Sequence, residues 1–296
     1  MASEIPQVEG VEHRFVEANG VRVHVAQAGA GNGMPVLLLH GWPQHWYMWR
    51  RVMAGLGDGF RLLAPDLRGF GWTDAPGRGY DAETFAADQV ALLDALGLER
   101  AHVIGHDWGG WTAMLMGILH SDRVERMVVC NAPHPWAGLS ANIALEAWRS
   151  WYTWVIATPG LGRWLLRQRW IARAVLVSGN VGRPFNRSEI EIYARSFGAP
   201  ERADAAVHLY RYYQRAVRDA IAGRWHGHRL PVPTLLLFGE RDRYISAKLL
   251  AGYERHADEG RLELVPDAGH FIVDERPDLV IDRARAWLGS PPGDRD

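Results

Sequence analysis

Cysteine and lysine are almost missing from this chain: Cys130 and Lys248 stand alone among 296 residues. A single cysteine excludes an intramolecular disulfide and a cysteine-based metal site, and its place in the strand-like run Met127-Val128-Val129-Cys130 makes it a buried small residue. The cationic charge is almost all arginine, interspersed with Asp and Glu to a net charge of -1. No basic stripe or acidic tail therefore marks a nucleic-acid partner. No apolar run reaches membrane-spanning length, and Met1 to Gly10 is polar and acidic rather than a charged segment followed by an apolar one. The cytoplasm is the expected location. His-Glu-x-x-His spacing is missing, as is a phosphate-binding glycine loop after the first parallel strand, so neither metal nor organic cofactor is expected. No internal repeat or low-complexity tract is visible.

What is present is 48% apolar composition over a length that suits one large domain, or a core with an inserted piece. Glu12 to Val16 and Val21 to Ala26 alternate around Ala18-Asn19-Gly20, which predicts an opening β-hairpin. Short apolar runs follow at Val36–Leu39, Arg61–Ala64, Ala101–Ile104, Met127–Cys130, Thr234–Phe238 and Leu262–Val265, with helical patterns between most of them. Such alternation predicts an α/β fold whose mostly parallel sheet is covered on both faces. Between Trp136 and about Leu230 the strand-like runs stop. Helices are expected at Asn142–Thr158, Gly162–Val177, Arg187–Phe197 and Glu201–Ala222, before Pro231 and Pro233 return the chain to the sheet. The expected division is a core of residues 1–135 and 231–296 with an all-helical cap at 136–230. The Pro- and Gly-rich tail from Ser290 should fray.

The segment Gly105-His106-Asp107-Trp108-Gly109-Gly110 ends one apolar run and opens an amphipathic one, so a carboxylate occupies a strand-to-helix turn. Glycine two residues before and two after the central residue is the pattern of a nucleophile elbow, where the backbone is strained and the helix packs close to the strand. A serine there would attack an acyl carbonyl. An ionised carboxylate instead displaces a leaving group from saturated carbon and becomes an alkyl ester. The plainer reading of Asp107 is a helix cap.

Its partners in the sequence argue for chemistry. His40-Gly41-Trp42-Pro43 follows the first parallel strand, where an α/β-hydrolase arrangement draws one oxyanion-hole amide, the other coming from the residue after the nucleophile; these are Trp42 and Trp108. Pro43 should hold Trp42 out of helical conformation. His270, in Gly269-His270-Phe271 after the last strand, has the position of the base, and the order nucleophile, acid, histidine fits that arrangement. The acid should follow an earlier strand: Asp242 is chosen over Glu240 in Gly239-Glu240-Arg241-Asp242. The alternative placement, after the preceding strand, holds the neutral Asn131. Asp66 is expected to tie a turn to Arg68.

These motifs, with Arg68-Gly69-Phe70-Gly71, resemble the α/β-hydrolase-fold epoxide hydrolases over nearly the whole chain. The branch with an aspartate nucleophile also holds haloalkane and fluoroacetate dehalogenases. The resemblance implies two cap tyrosines that hydrogen-bond and protonate the epoxide oxygen. Tyr152, seven residues before Pro159-Gly160, matches the first, and Tyr210 matches the second, with Tyr212 or Tyr213 as the alternatives if the helix register differs. Haloalkane dehalogenases usually place Asn where Trp42 stands, and fluoroacetate dehalogenases Arg where Trp108 stands and His where Tyr152 stands. Trp108 is accordingly read as an amide donor and an apolar wall.

The expected activity is conversion of a lipophilic epoxide and water to a vicinal diol through an ester on Asp107, hydrolysed by water that His270 and Asp242 activate. Trp42, Pro43, Trp108 and Phe271 are expected to bind substrate. A dehalogenase with the same nucleophile is the nearest alternative. A catalytically idle small-molecule receptor on the same scaffold is a remote one, since it predicts decay of the catalytic set.

Overall fold

The computed structural model describes residues 4–29, 33–136, 147–182 and 184–289. Its sheet has eight strands: β1 (Glu12–Ala18), β2 (Val21–Gly29), β3 (Met34–Leu39), β4 (Phe60–Pro65), β5 (Ala101–His106), β6 (Val124–Cys130), β7 (Thr234–Gly239) and β8 (Gly260–Val265). Their spatial order is β1-β2-β4-β3-β5-β6-β7-β8. The opening hairpin pairs Ala18 with Val21 across a two-residue turn in which Asn19 and Gly20 both have positive φ, the conformation that an Asn-Gly pair tolerates best. β2 runs antiparallel to β4, and every later pairing is parallel.

Helices cover both faces, so β5 and β7 are buried at every residue. Among the core helices α1 (Arg50–Leu56) packs on the helix Pro277–Gly289, while α2 (Ala82–Ala95) packs on α3 (Trp108–Leu119). The chain leaves β3 for β4 on one side and returns as β5 on the other. That reversal opens a crevice between the carboxyl ends of β3 and β5, the place where open α/β sheets take ligands. Cys130 is wholly buried at the end of β6, and burial pushes its thiol up to about 12, which leaves it unreactive.

Between β6 and β7 the described residues are helical: α4 (Trp151–Ala157, after a 3-10 turn over Ala147–Ser150), α5 (Leu161–Arg167), α6 (Trp170–Ser178), α7 (Arg187–Ser196) and α8 (Pro200–Ile221). The start of the helix expected from Asn142 lies outside the described residues. The single helix expected over Gly162–Val177 is two, because Arg169 adopts a left-handed conformation (φ 61°) between α5 and α6. No Gly, Asn or Pro signals this break. Gly162 sits where α4 and α5 nearly touch, since a Cβ there would collide with the Ile156 carbonyl. α7 starts from a capping box in which the Asn186 and Glu189 side chains each accept the other's backbone N–H.

Candidate active site

Asp107 lies between β5 and α3 with φ 52° and ψ -117°, a conformation that costs a non-glycine residue of order 1–3 kcal/mol. Its side chain makes no capping bond to α3. The carboxylate instead accepts the backbone N–H of Trp42 at Oδ2 (3.0 Å), and the adjacent Trp108 amide also favours its charged form. Three glycines permit this. A Cβ on Gly105 would strike the Gly109 carbonyl, one on Gly109 would strike the Leu39 carbonyl, and one on Gly41 would stand 2.6 Å from Asp107 Oδ2. Burial raises the Asp107 carboxyl to about 6, against the opposing pull of His270 and the two amides. The group is therefore largely ionised at neutral pH yet poorly hydrated.

His270 follows β8, and its Nδ1 lies 2.9 Å from Asp242 Oδ2. Asp242 Oδ1 accepts the amides of Tyr244 (2.7 Å) and Ile245 (3.0 Å), while Oδ2 also accepts Asn131 Nδ2 (2.8 Å). Burial works against the Asp242 charge, but His270 and these hydrogen bonds more than offset it and hold the carboxyl below its ordinary value. Burial likewise pulls the His270 imidazole down, and Asp242 and Asp107 outweigh it, so the ring titrates above the ordinary histidine value. Glu240 is exposed and has no part in this cluster.

The cap supplies phenols above the carboxylate. Tyr152 and Tyr210 meet edge to face with ring centroids 5.7 Å apart, and the Trp108 ring stands edge-on to Tyr210 at 6.1 Å. Trp42 stacks on Tyr152 at 6.0 Å and meets Tyr210 edge-on at 5.2 Å. Burial, with Asp107 adding to it, pushes both phenols well above 10. Of the alternatives, Tyr212 is turned away to Glu83 (2.7 Å) and Tyr213 is bonded to Ser150. Asp107, Trp108, Tyr152, Tyr210 and Tyr213 share a cavity of about 210 Å³ that continues along Val217, Ile221 and Leu249.

A family model for the alpha/beta hydrolase fold matches residues 34–277 of this chain. The chain belongs to the α/β-hydrolase fold family. Among curated relatives, AB hydrolase superfamily protein YfhM of Bacillus subtilis (strain 168) is 32% identical over 92% of this chain and 96% of its own length. Epoxide hydrolase 3 of Xenopus tropicalis is 30% identical over 94% of this chain and 78% of its own. Among solved structures, the epoxide hydrolase CorEH without ligand is 28% identical with a TM-score of 0.82, covering 94% of this chain and 99% of that one.

Within this α/β hydrolase several residues stand elsewhere than the sequence suggested. Phe271 is fully buried against His106, His270 and Phe185 and does not line the cavity. Pro43 and Trp42 do not line it either: the Trp42–Pro43 bond is cis, and the Trp42 ring packs behind the two tyrosines. Asp66 does tie a turn, but its partners are His24 (2.8 Å) and the amides of Trp46 and Trp72, whereas Arg68 pairs with Asp88. That web anchors the loop carrying Trp42.

Other contributors were missed because their partners are distant in sequence. Asn131 bridges Asp242, the Gly269 carbonyl and the Gly239 amide, so it places the acid rather than replacing it. Glu275 collects the amides of Gly269, Phe271 and Val181 and thereby frames the histidine loop. Arg50 joins Asp274 and Glu189, linking α1 to the segment after His270 and to the cap.

Proposed function

We propose that the protein is an epoxide hydrolase that opens lipophilic epoxides to vicinal diols. The observation that carries this reading is a buried carboxylate, held by the Trp42 amide, in a cavity that two buried phenols, Tyr152 and Tyr210, line with it. An ionised Asp107 attacks a ring carbon from behind while Tyr152 and Tyr210 donate to the oxygen, and one phenol gives it a proton as the C–O bond breaks. The raised phenol values keep both donors protonated at neutral pH. Because the Tyr212 hydroxyl is occupied by Glu83, Tyr210 is assigned as the second donor.

The ester is then hydrolysed. Asp242 occupies Nδ1 of His270, which leaves Nε2 to deprotonate a water that attacks the carboxyl carbon of the ester. The Trp42 and Trp108 amides already lie on the carboxyl group and stabilise the oxyanion that develops there. In this scheme residues 136–230 act as a cap that supplies the acid and shuts out bulk water. No cofactor enters the chemistry.

Two results test the reading. In a panel of styrene-type, terminal alkyl and trans-disubstituted epoxides assayed beside chloroalkanes and fluoroacetate, diol should form and halide should not. Halide release without diol would assign the site to a dehalogenase.

The pH profile has a stated sign. Alkylation needs Asp107 deprotonated, so its rate should rise as pH climbs through about 6. Ester hydrolysis needs neutral His270, which Asp242 still holds up after esterification has removed the Asp107 charge, and its titration sets a second acid limb. The phenols stay protonated well past pH 9, so no alkaline fall should appear below that point. A fall between neutrality and pH 9 in stopped-flow single turnovers would remove the phenols from the donor role.

A further inference from the structure

Tyr244 follows Asp242 by two residues in the loop after β7, and its amide, ring and hydroxyl reach different parts of the site. The backbone N–H donates to Asp242 Oδ1 (2.7 Å). The ring meets the His270 imidazole nearly at right angles, with centroids 5.3 Å apart, and meets the Tyr152 ring at 5.1 Å. Among the described residues, Tyr244 is the ring that contacts both. The hydroxyl donates to the Val175 carbonyl in the last turn of α6 (2.9 Å) and lies 2.8 Å from Ser178 Oγ. The end of α6 is fitted to this contact. The Gly179 carbonyl accepts the His270 amide (2.8 Å), and a Cβ on Gly179 would stand 2.4 Å from Tyr244 Cε2 and 2.7 Å from Phe271 Cε2, so only glycine lets the backbone come this close.

We infer that Tyr244 is a positioning residue, whose ring braces the His270 imidazole against the Tyr152 ring and whose hydroxyl ties both to α6. The inference rests on the reading of the site given above, in which His270 acts from the sheet and Tyr152 from the helices between β6 and β7. The bond between Nδ1 and Asp242 fixes one atom of the imidazole and leaves the ring free to tilt about it. Edge-to-face neighbours remove that freedom. His106 and Phe271 each stand 5.0 Å from the imidazole, and Tyr244 is the third neighbour and the one of the three that lines the cavity. A tilt would carry Nε2 off the line to the ester, and a misplacement of about 1 Å can cost about 10²-fold in rate.

The test compares Tyr244→Leu, which removes the ring, with Tyr244→Phe, which keeps it. In the protein without epoxide, the proton between His270 Nδ1 and Asp242 should give a low-field NMR resonance that broadens away in Tyr244→Leu and persists in Tyr244→Phe. In single turnovers with a styrene-type epoxide, Tyr244→Leu should slow ester hydrolysis by about tenfold or more, and Tyr244→Phe should recover most of that loss. Gly179→Ala, which presses on the ring from the end of α6, should reproduce the leucine pattern with Tyr244 in place. A wild-type resonance and hydrolysis rate in Tyr244→Leu, or in Gly179→Ala where the leucine variant does not fold, overturns the inference. So does an equal loss in Tyr244→Leu and Tyr244→Phe, which would give the work to the hydroxyl tie and not to the ring. Failure of the site reading looks different: the wild type then forms no diol, while the resonance still ranks the variants.

Discussion

His270→Gln is expected to leave ring opening nearly intact, to slow turnover by about 10³-fold or more, and to hold the enzyme as a stable ester of substrate mass. The argument starts from Asp107. Its carboxyl group is ionised through burial-limited titration near 6, and its two amide donors do not depend on the imidazole. The attack on carbon therefore survives loss of the base. Hydrolysis does not, because no other described side chain beside the carboxylate combines a neutral basic nitrogen with an anionic orienter. His106, the neighbouring ring at 5.0 Å, is pushed down to about 3 by burial and is bonded to the His270 carbonyl. Gln fills the space of the ring and can keep a hydrogen bond to Asp242. Intact-mass spectrometry after mixing with a styrene-type epoxide should show the protein plus one substrate, and proteolysis should place the added mass on the peptide containing Asp107.

The second large effect is on ring opening. Tyr152→Phe should slow alkylation by about 10²-fold or more, and Tyr210→Phe by a similar amount. The two rings are in contact, so the double variant should lose less than the product of the single effects. Stopped-flow single turnovers separate this step from hydrolysis, which should keep its wild-type rate once the ester forms. Tyr212→Phe supplies the contrast: it breaks a bond to Glu83 at the edge of the cap and should leave alkylation within about threefold, the usual scale of one surface-proximal hydrogen bond. An equal loss in Tyr152→Phe and Tyr212→Phe would mean that cap packing, and not proton donation, sets the rate.

The parts of this molecule that sequence periodicity and local turn chemistry control were legible. Asn19-Gly20 announced the hairpin, the buried strands announced themselves as short apolar runs, and Gly105 and Gly109 announced the turn at Asp107 because only glycine fits against Leu39 and the elbow. Chain order brought His270 and Asp242 forward among many histidines and carboxylates. The sequence could not show what depends on the angle at which distant segments meet. Phe271 follows His270, yet the chain turns it into the core; Trp42 offers its amide to Asp107 while its ring backs the tyrosines. Asn131, weighed as a weak substitute for the acid, proves to be the clamp on it. Arg169 breaks a helix with no local signal, because packing of α5 and α6 overrides propensity there.

On the proposed mechanism, the strain at Asp107 and the crowding around it serve one requirement. A carboxylate that must become an ester and then lose it needs an open approach for carbon, and it needs amides already placed for the tetrahedral stage. The elbow holds the side chain out of the helix, and Gly41 lets the Trp42 amide come within 3.0 Å of Oδ2. Gly41→Ala should disturb this without touching a titratable group, since its Cβ would meet Asp107 Oδ2 at 2.6 Å.

Transient esterification of Asp107 is the claim on which the rest depends. It is tested most directly by a single turnover, enzyme in excess, in water enriched in heavy oxygen. The first diol released should carry light oxygen, drawn from the Asp107 carboxyl group, with heavy oxygen entering diol only in later turnovers. Heavy oxygen in the new hydroxyl from the first turnover would show that water, not Asp107, attacks the epoxide.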